Sequence, residues 1–229
     1  MRYLLPIISL VLFNEGLFSQ TDNRKADLSA SADLVSRYIW RGSDLSGMPC
    51  FQPAVNLEYG HFYAGFWGSA PLAGAAEADF LAGYSSEYFG VSVIDYFVAN
   101  SDSAGSHKYF EWGKELTGHD LSAEITFPGT EKIPFRVLVA ANFYGADSDN
   151  SRYYEGAWMF EKDDFSGEVF MGGTDASGWY GNGAGVVNTG VSLTKEIKIS
   201  EHFSLPVFTK IIVNPQKENV YFVFGLTFR

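Results

Sequence analysis

The chain has 229 residues, a formal charge of −11 and 46% hydrophobic residues, with a mean hydropathy near zero. The acidic balance argues against a nucleic-acid surface, which needs clustered Lys and Arg, and the single cysteine, Cys50, cannot close an internal disulfide. The length suits one barrel or sandwich domain better than two domains.

Residues 1–20 read as an export signal. Arg2 supplies a positive start, Leu4 to Phe13 an apolar run, and Leu17-Phe18-Ser19-Gln20 a small residue for cleavage. The run is too short to span a membrane as a helix, and no later stretch approaches the roughly 20 continuous apolar residues that spanning requires. The expected organisation is a signal peptide over 1–20 and one domain over 21–229. With no cysteine directly after the signal, no lipoprotein anchor is expected.

From there the chain alternates apolar and polar residues in short segments, the period-two pattern of strands whose two faces differ. In the first segment Leu28, Ala30, Ala32, Leu34, Tyr38 and Trp40 oppose Ser29, Ser31, Asp33, Arg37 and Arg41. In the next, Phe51, Pro53, Val55, Leu57 and Tyr59 oppose Gln52, Asn56 and Glu58. Leu121, Ala123, Ile125 and Phe127 then oppose Asp120, Ser122, Glu124 and Thr126, and Phe135 to Phe143 places Arg136 and Asn142 opposite its apolar face. Further on, Val187, Val191, Leu193, Ile197 and Ile199 oppose Asn188, Ser192, Thr194, Glu196 and Lys198.

The pattern predicts strands over 28–41, 51–59, 62–70, 77–85, 88–99, 119–127, 133–144, 152–161, 166–174, 185–199, 202–213 and 219–228. Short turns alternate with longer connections, as in barrels with periplasmic turns and external loops, and such a barrel takes an even number of strands. Residues 108–115 are therefore assigned to the third outer loop rather than to a thirteenth strand. The facing of 88–99 and 166–174 alternates poorly and stays open.

The expected fold is all-β, a closed antiparallel transmembrane β-barrel of about twelve strands. Tyr38, Trp40, Phe51, Tyr59, Phe62, Trp158 and Phe160 fall towards strand ends, where interfacial girdles sit. A soluble periplasmic β-sandwich binding protein satisfies the same alternation, because periodicity alone does not separate a barrel from two packed sheets.

Signals of chemistry are weak. His61, His107, His119 and His202 are scattered, with no paired-cysteine partner and no HExxH, so neither metal nor other cofactor is expected. His119 lies near Ser122, which leaves a barrel lipid hydrolase as an alternative decided only by three-dimensional geometry. Gly181-Asn182-Gly183 lacks the Lys-Ser or Lys-Thr of a phosphate loop. Asp147-Ser148-Asp149-Asn150 resembles part of a calcium loop but lacks its glycine and distant Glu. The expectation is a protein that is not an enzyme.

Alternation assigns nine charged residues to the lumen: Asp33, Arg37, Glu58, Glu77, Asp79, Glu124, Arg136, Glu155 and Lys210. Unpaired ions do not stay dry, so they either pair into a plug or line water. Six carboxylates against three cations would make an open lumen favour cations.

The last strand carries a further signal. Val220, Phe222, Phe224, Leu226 and Phe228 resemble the assembly signal of outer-membrane barrels, with Arg229 as a departure, since the aromatic usually ends the chain. Several segments in order also resemble the TorF-like porin family of Gram-negative barrels in its Bacteroidota form. They are Ser36-Arg37-Tyr38-Ile39-Trp40-Arg41-Gly42, Phe62 to Ser69, Phe80-Leu81-Ala82-Gly83-Tyr84, Tyr144-Gly145-Ala146-Asp147, Phe203 to Val207 and Val213-Asn214-Pro215-Gln216. The resemblance implies an outer-membrane barrel with a transport role, either a passive pore for small hydrophilic solutes or a structural barrel. Its partners would be outer-membrane lipid, lipopolysaccharide and the barrel-assembly machinery. It implies no catalytic residue and no defined substrate.

Overall fold

The computed structural model describes residues 25–99, 108–113, 117–201 and 203–229. The expected signal peptide, His107 and His202 lie outside these residues. The strands are β1 (Asp27–Val35), β2 (Ile39–Trp40), β3 (Ser43–Asp44), β4 (Cys50–Tyr59), β5 (Phe62–Pro71), β6 (Ala76–Ser85), β7 (Gly90–Ala99) and β8 (His119–Phe127). They continue with β9 (Phe135–Gly145), β10 (Arg152–Lys162), β11 (Phe165–Thr174), β12 (Gly185–Lys198), β13 (Ser204–Asn214) and β14 (Asn219–Phe228). Twelve of them close into one antiparallel barrel in sequence order, β14 returning to β1, while β2 and β3 form a separate hairpin. A single closed ring overturns the sandwich alternative, which needs two sheets facing each other.

Alternation drives this arrangement. Outward positions expose Leu28, Val55, Phe135, Val169, Val220, Phe222 and Phe224, whereas Asp33, Asp79, Asp120, Arg136, Glu155 and Glu168 are buried inside. An apolar outer wall around a charged interior inverts a soluble protein, and it fits an outer-membrane barrel protein. In the two strands whose facing the sequence left open, Val91, Val93, Val169 and Met171 point out while Ile94, Tyr96, Glu168 and Phe170 are buried. Apolar side chains inside the barrel had blurred the alternation.

Two corrections matter for the site. The first strand stops at Val35, where Ser36 N–H bonds the Phe224 carbonyl, and the chain then turns into the barrel. Tyr38 and Trp40 are consequently buried rather than in a girdle; Phe51, Tyr59, Phe62, Trp158 and Phe160 do lie exposed on the outside. The second concerns Val187, expected to face outward. The register shifts between Gly172 and Gly173 so that β12 gains an unpaired residue there, and Val187 is fully buried. Such a bulge re-aims a side chain.

The ring is uneven at its seam. β1 pairs with β4 over all of Asp27–Val35, but with β14 only over Ala32–Val35 against Gly225–Phe228.

Candidate functional site

Residues 36–49 connect β1 to β4 at the long-loop end and fold inward rather than away. Their tip is the β2–β3 hairpin, with Trp40 paired to Ser43 across a two-residue turn, Arg41-Gly42. Both turn residues have positive φ, 47° and 80°, as a type I′ hairpin turn requires. Gly42 sits where a Cβ would lie 1.9 Å from the Val187 carbonyl oxygen. Backbone therefore meets backbone, and only glycine fits. Asn214 Nδ2 donates to the Gly42 carbonyl at 2.9 Å, fixing the tip to β13.

Around this tip the long-loop half of the barrel is filled with aromatic rings. Trp40 lies 5.3 Å from Tyr96 and 5.5 Å from Tyr180, and Tyr38 lies 5.3 Å from Trp67. Arg41 enters the middle of the lumen. Its Nη1 donates to the Tyr180 hydroxyl at 2.6 Å, and its Nη2 pairs with the Glu124 carboxylate. The guanidinium carbon is 4.9, 4.7 and 5.2 Å from the ring centres of Trp40, Tyr153 and Tyr180. Burial pushes the Tyr180 phenol up, so the hydroxyl keeps its proton and donates onward to Asn142 Oδ1 at 3.3 Å.

A second polar cluster lies on the neighbouring strands β9, β10 and β11. Arg136 Nη2 donates to Glu155 at 2.8 Å and to Glu168 at 3.1 Å, and all three side chains are buried. Glu155 Oε2 also accepts from the Tyr153 hydroxyl at 2.5 Å and from Asn188 Nδ2 at 3.0 Å. Tyr153 joins the two clusters, with its ring against Arg41 and its hydroxyl on Glu155. Gly172 makes room for it, since a Cβ there would lie 2.1 Å from that hydroxyl.

Between the clusters and the short turns is a cavity of about 110 Å³. Gly60, His61, Ser85, Gly90 and Pro128 line it at the short-turn end, while Ile39 and Arg41 line its inner end. One wall is apolar, with Leu81, Ile94 and Leu138; another carries Arg136, Glu155 and Lys210. Asp33 Oδ1, Glu168 Oε1, Asn188 Oδ1, Arg136 Nε and Ser192 Oγ are buried without a protein hydrogen-bond partner. Polar atoms of this kind are what ordered water satisfies.

Of the nine expected lumen residues, Glu58, Glu124, Arg136, Glu155 and Lys210 line this cavity. Asp33 and Asp79 are buried inside the barrel away from it, Asp79 accepting from Phe97 N–H at 3.3 Å, and Glu77 is half-buried near them on β6. Arg37 is the exception. With β1 ended, it lies in the loop, half-exposed, pairing with Asp44 at 3.2 Å, and it is not part of the lumen row.

The weaker signals resolve by geometry. His119 and Ser122 fall on opposite faces of β8. The His119 ring binds Asp95 at 2.8 Å and the Tyr109 carbonyl at 2.6 Å under a stacked Trp112, whereas the Ser122 hydroxyl is buried away from it. They therefore do not form the nucleophile–base pair of a hydrolase. Asp147 is spent on its own loop, accepting from Asn142 Nδ2 and from the backbone of Asp149 and Ser151. Among the described residues no group of three or more His, Cys, Asp and Glu side chains could hold a metal ion.

Sequence reasoning missed Arg41, Tyr153, Tyr180 and Glu168. Arg41-Gly42 between Ile39-Trp40 and Ser43 had the outline of a tight turn, but the apolar alternation ran across it and concealed it. Glu168 was missed because its strand alternates poorly.

Comparison with curated proteins gives no match. A family model described as a bacterial protein of unknown function, Gcw_chp, matches residues 19–193, a stretch that includes the inserted hairpin, Glu124, Arg136, Glu155 and Glu168. With most of its length matched, the chain belongs to the Gcw_chp family of bacterial proteins.

Proposed function

We propose that this chain is an exported outer-membrane protein of a Gram-negative bacterium, a narrow porin-like pore for small hydrophilic solutes that its first outer loop holds shut. The observation that carries this reading is the charged cavity inside an apolar-walled barrel, which reaches from the short turns to Arg41 and stops there. A wall that served only as structure would have little reason to keep buried polar atoms without protein partners. The resemblance to TorF-like porins of Bacteroidota supports the same reading. Lipid and lipopolysaccharide would contact the wall, and β14 would engage the assembly machinery. No catalytic role is assigned.

Two measurements test this. The protein should fractionate with outer membranes and migrate faster before boiling than after, because a closed ring resists detergent until heated. Equal mobility with release into a soluble periplasmic extract would refute the membrane reading. In planar bilayers under a salt gradient, wild type should conduct rarely and the Arg41→Ala barrel often, with cation selectivity from the acidic excess. Glu58→Gln, which removes a carboxylate that lines the cavity near the short turns, should move the reversal potential towards zero. Anion selectivity would contradict the lumen assignment, and silence in every variant would favour a purely structural barrel.

A further inference from the structure

We propose that the cage around Arg41 is a binding site for solutes bearing a guanidinium group, occupied at rest by the plug's own arginine. The inference rests on the pore reading above and names the substrate class of the same lumen.

The cage matches a flat cation with several N–H donors. Tyr153 and Tyr180 present ring faces at 4.7 and 5.2 Å from the guanidinium carbon, the Glu124 carboxylate pairs with one nitrogen, and the Tyr180 hydroxyl accepts from another. Planar stacking combined with directed hydrogen bonds at the edge is chemistry that guanidinium fulfils and a compact ammonium does not. These walls belong to the barrel and to a different loop: Glu124 to β8, Tyr153 to β10 and Tyr180 to residues 175–184. Only the cation and the Trp40 ring arrive on the hairpin.

The hairpin also shows that Arg41 is held there against its backbone preference. A φ of 47° suits Asn, Asp or Gly at this turn position and is disfavoured for a residue with a longer side chain. Strained backbone persists where the surroundings over-determine it, and here the cage does so.

The site can be reached from the cavity, since Arg41, Glu124 and Tyr153 all line its inner end. Among the described residues only Oε1 of Glu124 is engaged, shared by Arg41 and the Tyr96 hydroxyl, and the Glu124 side chain keeps 14% of its surface exposed. The acidic lumen draws cations towards it. The apolar wall of Leu81, Ile94 and Leu138 suits a short aliphatic chain behind the charged group. An alkylguanidinium arriving from the short-turn side would therefore compete with Arg41 for Glu124 and the rings, and would release the plug.

The test uses the full-length barrel in detergent, with methylguanidinium, methylammonium and urea as probes and calorimetry as readout. Arg41→Ala should bind methylguanidinium at least about tenfold more tightly than methylammonium, and more tightly than wild type does, whose own arginine competes. Adding Glu124→Gln should abolish that preference. In wild type, methylguanidinium and not methylammonium should speed proteolysis within 36–49, a readout that stands if Arg41→Ala fails to fold. A folded Arg41→Ala barrel with no preference for methylguanidinium overturns the inference, as does unchanged proteolysis of wild type. Selective binding without channel steps in any variant would uphold the site and refute the pore; channel steps without selective binding would do the reverse.

Discussion

The two halves of the barrel interior are built from the same twelve strands and solve the same problem differently. Side chains alone fill a barrel of about eight strands, and sixteen or more leave an open channel. At twelve, the wall encloses more space than its side chains occupy. In the long-loop half a piece of the chain itself, Tyr38 to Gly42, supplies the missing volume and packs against Trp67, Tyr96 and Tyr180. In the short-turn half no described residue from outside the wall is inserted, and the space is kept by ion clusters and a cavity. The wall thus sets how much space there is, and loop sequence decides which end is closed.

The largest expected effect tests the ion clusters. Arg136→Met leaves Glu155 and Glu168 buried beside no arginine, and breaking a buried pair in this way costs about 3–5 kcal/mol. Unfolding midpoints in denaturant should fall accordingly, and adding Glu155→Gln with Glu168→Gln should recover much of the loss. No recovery would mean that Arg136 acts through its packing rather than its charge.

A second experiment compares packing between the halves directly. Trp40→Ala empties the centre of the packed half and should cost about 4 kcal/mol, while Leu138→Ala, whose side chain already borders the cavity, should cost about 2 kcal/mol. Equal losses in the same unfolding measurement would erase the distinction between a filled half and an open one. The smallest effect belongs to Arg37→Ala. Its pair with Asp44 is half-exposed, and such pairs are worth at most about 1 kcal/mol. A larger loss would place Arg37 in the plug's core.

Much of the wall was legible in the sequence, and its content was not. Outward positions such as Phe135 and Phe224 alternate cleanly because lipid-like and lumen-like surroundings differ sharply on the two faces of a strand. Arg136 and Glu124 followed from the same rule. The rule failed where the chain stops being wall. Tyr38 and Trp40 continue the alternation of β1, yet they belong to a loop, and period two carries no mark of where a strand leaves its ring. Val187 failed for a related reason, since one bulged residue inverts the facing beyond it. The Arg41 cage draws its parts from β8, β10 and two loops, and proximity across the lumen has no signature in local sequence.

The short seam between β1 and β14 bears on how firmly the ring is held closed. Only four residues of each strand pair there, whereas β1 and β4 pair along the whole of β1. The same corner anchors the start of the inserted loop, because Ser36 both donates its N–H to the Phe224 carbonyl and accepts the Phe224 N–H on its hydroxyl at 3.0 Å. The shortest joint of the ring and the first residue of the plug therefore share their bonds, so that seating the hairpin also strengthens the closed ring. A chain in which the hairpin had not yet entered would lack those bonds at its thinnest joint and would stay easiest to pry open there.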